Sequence, residues 1–258
     1  MSKIFFLITF LIFKISFSQS LHQLDQIDDL ENLKEYKKII IQYPHLKKFK
    51  AKHIFSLKNG KIVKYRINKS VYKTYYHYNA NNDVDYQIIN QKIKENKQKR
   101  ITTDTIFYKL KYNSDNQLTE SDYSLKKCFS NFNKSGLPQI IENCDSKINN
   151  DSILEKDFKT EFQYDSNNRI SKKTSYSILY KKIETNEIYY TYDENGNLTQ
   201  LERKDTPKVD YPIYSLGSLP LYENERFRYH FNKDGIWTKK YWIVEGEEYL
   251  IEKRKLVK

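Results

Sequence analysis

Glycine and proline are scarce in this 258-residue chain, at 6 and 5 residues, so Asn and Asp must carry its turns. Cysteine is scarcer still. Cys128 and Cys144 are the only two, and neither sits in a CxxC pair, so no zinc site is expected from them. The histidines, His22, His45, His53, His77 and His230, show no HExxH spacing. No GxSxG, P-loop or GxGxxG is present. The expectation is therefore no metal, no cofactor, no catalytic residue and no enzyme. The longest apolar run, Ile4 to Phe13, has ten residues, whereas a membrane helix needs roughly 20, so no transmembrane helix is expected.

That apolar run reads instead as the middle of an export signal over residues 1–18. Lys3 supplies the positive start, and Ser16 and Ser18 are the small residues a signal peptidase accepts. Export places the mature chain in the periplasm, at the cell surface or outside the cell. It also makes a Cys128–Cys144 disulfide chemically accessible. The segment between the cysteines reads as one hairpin. A four-residue loop over 133–136 would set Cys128 opposite Ile141, so a bond needs a longer loop, a bulge near Pro138 or diagonal reach.

Charge is plentiful and unbalanced, with a formal net charge of +12. Removing residues 1–18 takes away Lys3 and Lys14 and no acid, leaving +10. The cations are spread along the chain, and export argues against a nucleic-acid partner. The densest block, Lys92 to Arg100 (KIKENKQKR), reads as a solvated loop. Aromatics make up 15% of the chain, including 23 Tyr, which argues against disorder.

Periodicity divides the chain into three parts: 1–18, 19–50 and 51–258. Leu21, Leu24, Ile27, Leu30, Leu33, Tyr36, Ile39 and Ile40 fall at steps suited to one helix face, predicting a helix from Leu21 to Gln42 that ends before Pro44. From Ile54 the period becomes two. Phe158, Thr160, Phe162 and Tyr164 alternate with polar residues, as do Phe227, Tyr229 and Phe231. Such strands bury one face and wet the other. The last hairpin is expected to turn at Glu245-Gly246.

The strands end in a recurring turn, seen in Tyr190–Leu198 (YTYDENGNL), Phe162–Ile170, Leu110–Leu118 and Tyr76–Val84. Ser130–Leu137 and Tyr229–Ile236 read as variants one residue shorter after the turn. Asp or Asn opens the turn by capping the backbone two residues on. The fourth position needs positive φ, which Asn82, Asn116, Gly136, Asn168, Gly196 and Gly235 can supply. Residues 204–222 break the pattern and hold three of the five prolines.

The Tyr-x-Tyr-Asp-x-x-Gly-x-Leu pattern at Tyr190–Leu198 resembles the YD repeat of the Rhs family, with Phe162–Ile170 and Leu110–Leu118 as degraded copies. Exported β-hairpin proteins of the Bacteroidetes type, including porin-like domains, look similar. The resemblance covers about half of the mature chain. It implies a strand-turn-strand architecture and, more weakly, sugar binding, and it transfers no catalytic residue.

The fold expected is mainly β: an antiparallel meander of irregular hairpin repeats forming a large curved or partly closed sheet, with one N-terminal helix. The function expected is a non-enzymatic secreted or cell-envelope scaffold binding a glycan or an envelope protein. Trp237, Trp242 and Tyr249 are its candidate ligand-stacking residues. Plugging a sheet core is the competing role for the two Trp. Two other readings compete: an outer-membrane β-barrel, and a secreted hydrolase with an unrecognised site. Asp165 and Asp193 are the tempting carboxylates, but their turn-opening positions explain them.

Overall fold

Alternating side chains with β-branched and aromatic residues favour pleated strands, and this chain forms little else. The computed structural model describes residues 33–44, 52–68, 70–95, 98–122, 126–144, 155–179, 182–214 and 219–258. The export signal lies outside the described residues. Two compact units are present: Met1–Ile39 with Ile54–Phe107 and Leu256–Lys258, and Ile40–His53 with Tyr108–Lys255.

The first strand, β1 (Lys38–Gln42), corrects the helix expected to run to Gln42. Ile39 and Ile41 are buried while their neighbours are not, a period of two. Three consecutive Ile resist the crowding of a helix and suit a strand. The rest of that expected helix, up to residue 32, lies outside the described residues.

In the first unit β2 (Lys52–Lys58), β3 (Lys61–Ile67), β4 (Tyr72–Tyr78), β5 (Val84–Glu95) and β6 (Gln98–Phe107) lie side by side in chain order. Within the block 92–100, expected as a loop, residues 92–95 and 98–100 are the paired ends of β5 and β6, with Ile93 opposite Arg100 and Glu95 opposite Gln98. The alternation Lys-Ile-Lys within it was the signal for strand. In the second unit the meander continues through β7 (Lys109–Tyr112), β8 (Leu118–Asp122), β9 (Lys126–Phe132), β10 (Pro138–Asn143), β11 (Glu155–Tyr164), β12 (Ile170–Leu179), β13 (Lys182–Tyr192), β14 (Leu198–Thr206), β15 (Asn224–Phe231), β16 (Trp237–Val244) and β17 (Glu247–Val257). Antiparallel pairing holds for every registered pair within each unit.

Phe55, Leu57, Ile62, Tyr65, Tyr76 and Val84 are buried in the first unit, with the Phe55 and Tyr65 rings 4.9 Å apart. Phe129, Phe162, Ile170, Ile236, Trp237, Trp242 and Val244 are buried in the second. Gln87 is buried among the first set at 0% exposure, and neither Oε1 nor Nε2 has a hydrogen-bond partner among the described residues. An unmet buried amide costs about 1–3 kcal/mol. Gln87→Leu is therefore expected to raise stability by about 1–2 kcal/mol, read as a higher urea midpoint with an unchanged slope.

The turns obey one rule with one correction. Each of the six recurring turns is a five-residue loop, closed for example by Asp193 N–H donating to Asn197 O and Asn232 N–H donating to Ile236 O, both at 2.9 Å. The two variants expected to be shorter have the same length. Ile236 takes the place of Asn197, and Trp237 takes the place of Leu198 as the first return residue. The residue after it is bulged out in five hairpins, as register shifts at Tyr78, Tyr112, Tyr164, Tyr192 and Phe231 record. Thr119, Thr199 and Thr238 occupy such bulges and donate their hydroxyls to Lys111 O, Thr191 O and His230 O at 3.2, 3.0 and 3.1 Å. In the Phe132–Pro138 hairpin no such shift occurs, and Asn131 instead takes φ +52°.

Candidate functional site

The turn-opening side chains are fully employed. Asp193 Oδ1 accepts from Asn195 N and Asn197 N at 3.0 and 2.8 Å, and Asp193 Oδ2 accepts from Asn197 Nδ2 at 2.9 Å. Asp165 does the same with Asn167 N and Arg169 N, and adds an ion pair to Arg169 at 2.7 Å. Burial alone would raise the Asp165 pKa, but the Arg169 and Asn167 hydrogen bonds overcome it and hold the carboxyl below its usual range. A carboxylate so engaged keeps the turn closed and has no spare proton to deliver. Asp193→Ala is expected to cost about 2 kcal/mol, measured as a lower thermal midpoint. The fourth position has positive φ as expected at Asn82, Asn116, Gly136, Asn168, Gly196 and Gly235.

The tyrosines link one hairpin to the next. Tyr164 Oη donates to Pro138 O at 2.6 Å, Tyr192 Oη to Ile170 O at 2.9 Å and Tyr229 Oη to Leu198 O at 2.8 Å. Each acceptor is the first return residue of the preceding hairpin. In the first unit Tyr78 donates to Ile62 O at 2.8 Å. Burial pushes the Tyr164 phenol up to about 12, so it stays a donor at ordinary pH.

Trp237 and Trp242 were expected as stacking residues, and their burial bears on that directly. They are 6% and 4% exposed. Arg254 covers the Trp237 ring, and Tyr222 packs edge-on against Trp242 at 5.4 Å. Neither indole offers an open face. Tyr249, opposite Trp242 on β17, is 48% exposed and does.

Cys128 and Cys144 are joined in a disulfide with Cα atoms 5.1 Å apart. The five-residue loop sets Cys128 opposite Glu142, one place along from Ile141, and Cys144 two residues beyond it. The bond spans that diagonal. Glu120 lies directly opposite Cys128 on the other side, where the Lys111 hydrogen bond first and then Lys126 lower its pKa. Glu120, Cys128 and Cys144 form the three-residue grouping of metal-ligating type among the described residues. With both sulfurs in the disulfide, it offers one carboxylate.

The chain matches no family model and no curated protein. A solved porin-like protein from Bacteroides uniformis is similar at 9% identity and a TM-score of 0.33, over 86% of this chain and 97% of that one. A likeness of that degree assigns no function.

What stands out beyond the expected residues is the outer surface. In the first unit His77 stacks on Tyr86 at 4.2 Å, and Tyr86 meets Phe107, which is 66% exposed. In the second, Lys172 and Lys204 flank the Tyr189 ring at 5.1 and 4.8 Å, with Glu187 bonded to both Lys172 and Tyr189. Sequence parity could have shown both rows, but only with the bulges known. The excursion after β14 is pinned at its end. Arg203 Nη1 donates to Glu225 Oε1 at 2.5 Å and to Tyr222 O at 2.7 Å, and Tyr222 N–H donates to Glu225 Oε1 at 3.2 Å. Val209, Ile213, Tyr214 and Leu221 are exposed along it.

His53 gives the site region a pH response. Burial lowers its pKa, with Glu252 opposing, and Tyr43 packs edge-on at 5.0 Å. A lowered folded pKa means the neutral ring contributes stability above the ordinary value of 6.5. That contribution is lost as pH falls through the lowered value. Stability should therefore decline below pH about 6.5, before the carboxylates titrate, and His53→Gln should flatten that part of the profile in urea unfolding at stepped pH.

Proposed function

We propose that this chain is an exported cell-envelope β-protein that acts as a non-enzymatic scaffold and binds a glycan or protein partner through its sheet surfaces. The observation carrying this reading is that both faces of β12–β14 are charged at mid-strand. Lys172, Glu187 and Lys204 share one face, while Lys173, Arg203 and Asp205 share the other. A sheet with charge on both faces is built for water on at least one side and has no room for a lipid-facing apolar band. The YD-type resemblance of Tyr190–Leu198 agrees with a scaffold role. Tyr249 is the one of the three aromatic candidates whose exposure suits a ligand.

The outer-membrane β-barrel reading has its own support. The chain is an antiparallel meander, and β5, β6, β11, β12, β13 and β17 are 12, 10, 10, 10, 11 and 11 residues long. Membrane-crossing strands need about 9–11 residues. No helix among the described residues is long and apolar enough to cross a membrane, which leaves that reading untouched.

Fractionation separates the two. Expression of the full chain in a Gram-negative host should yield a processed protein that stays in solution without detergent. Recovery only in detergent, with heat-modifiable migration, would overturn the scaffold reading in favour of the barrel. Failure to be processed would overturn export itself.

A further inference from the structure

Lys239, Lys240, Lys253, Arg254 and Lys255 crowd together in sequence near the Trp residues, and the structure sorts them onto two faces. Lys240 lies over the Phe227 ring at 4.3 Å, and Arg254 is buried against Trp237. The others point the opposite way. His230 stands opposite Lys239, and Lys239 stands opposite Lys253. His230, Lys253 and Lys255 are exposed, and Lys239 is half-buried.

This row sets two cations, Lys239 and Lys253, directly opposite each other beside His230. Like charges directly opposite each other on one face destabilise a sheet. Other lysines have carboxylate partners, as in Lys172–Glu187 and Lys111–Glu120, and on this same face Arg228 pairs with Glu248. Among the described residues no ion pair joins Lys239, Lys253 or Lys255 to a carboxylate. The neighbouring rows of the same face are Arg228–Tyr241–Leu250 and Arg226–Ile243–Glu248. The face of β15–β17 thus carries Arg226, Arg228, Lys239, Lys253 and Lys255 against the single acid Glu248, with Tyr241, Ile243 and Leu250 between them.

We propose that this face of β15–β17 is a docking surface for a membrane rich in phosphorylated, anionic headgroups. Neighbouring strands are about 4.8 Å apart, so the His230–Lys239–Lys253 row spans roughly 10 Å, enough to meet more than one headgroup. The half-buried Tyr241, Ile243 and Leu250 supply the amphipathic surface that a headgroup layer accepts, while lysine stems lie flat and their ammonium groups reach the phosphates. Nucleic acid is the less fitting polyanion. Base stacking needs an open ring, and Arg228 already covers Tyr241 at 4.4 Å. The inference rests on the export reading, since an exported chain meets lipid surfaces from outside the cytoplasm.

The test uses the purified mature chain and sedimentation with vesicles of phosphatidylcholine alone or with one-fifth phosphatidylglycerol. Binding is expected to the anionic vesicles only and to weaken with salt. Each surface lysine is worth about fivefold in partitioning. Lys239→Ala with Lys253→Ala should weaken binding roughly 25-fold, and Lys255→Ala alone about fivefold. Lys240→Ala, on the other face, should change nothing. Equal binding to both vesicle types, or anionic binding indifferent to the Lys239/Lys253 pair and to Lys255, would overturn the proposal. Binding of single-stranded DNA at equal strength, lost in the same pair variant, would also overturn it, in favour of a nucleic-acid surface. Vesicles report on the face alone and fractionation reports on export, so either can fail without the other.

Discussion

Glu225→Ala is expected to destabilise the protein by about 3–5 kcal/mol, the largest effect of any single substitution considered. The Arg203 and Glu225 side chains are 10% and 9% exposed, so water does little to screen them. Removing the carboxylate leaves the guanidinium of Arg203 on β14 buried, still bonded to Tyr222 O but without its counter-charge. It also strips Tyr222 N–H of its acceptor. The cost is that of an uncompensated charge and does not measure the worth of the pair. The double variant Arg203→Met with Glu225→Leu should recover most of the loss, because a packed apolar pair avoids the desolvation that the ions endure. Urea unfolding of the two single variants and the double variant makes the cycle. A double variant as unstable as the worse single one would show that the pair's hydrogen bonds to Tyr222 matter more than its charges.

Loss of the disulfide should cost about 3 kcal/mol. Cys128 and Cys144 are separated by 16 residues, and a closed loop of about that size removes roughly that much chain entropy from the unfolded state. The double Ser variant should show a lower urea midpoint, and the wild type under reducing conditions should match it. The covalent link spans a diagonal between β9 and β10, where pairing already exists. The native strands should therefore keep their register in the variant, seen as unchanged far-ultraviolet circular dichroism below the transition.

The all-β character was legible because period-two alternation is set by the backbone pleat and needs no tertiary information. The positive-φ positions were legible for a similar reason: Asn and Gly are the residues that tolerate that region. The helix expected to reach Gln42 is absent over the described residues 33–42, although Leu33, Tyr36 and Ile39 fall at helix-like steps of three. Only burial of Ile39 with Ile41 shows that the strand won. The return register was illegible because a bulge is not a residue type. Ile236 and Leu137 look like the first residues of return strands, yet they close five-residue loops, and Trp237 inherits the inward anchor position. That single shift decides the burial of Trp237. Exposure of aromatics was equally beyond sequence reading, since Tyr249 and Trp242 are register partners and yet are 48% and 4% exposed. The lysine row was visible as composition but not as a row, because Lys239 and Lys253 meet only after the shift between Lys240 and Tyr241 is counted.

The tyrosine links bear on how such a chain can lengthen. The hairpins that turn after Tyr164 and Tyr192 each bring one phenol that donates backward and one carbonyl that accepts from the hairpin after it. A duplicated hairpin therefore arrives with a matching plug and socket. Its insertion leaves no hydroxyl without an acceptor, and its deletion lets the flanking members rejoin. The spacing between successive members is free to vary, because the join is made at the turn-proximal end and does not depend on strand length. The turn-preceding aromatics at 78, 112, 132, 164, 192 and 231 are spaced by 34, 20, 32, 28 and 39 residues, an irregularity that a join independent of strand length tolerates.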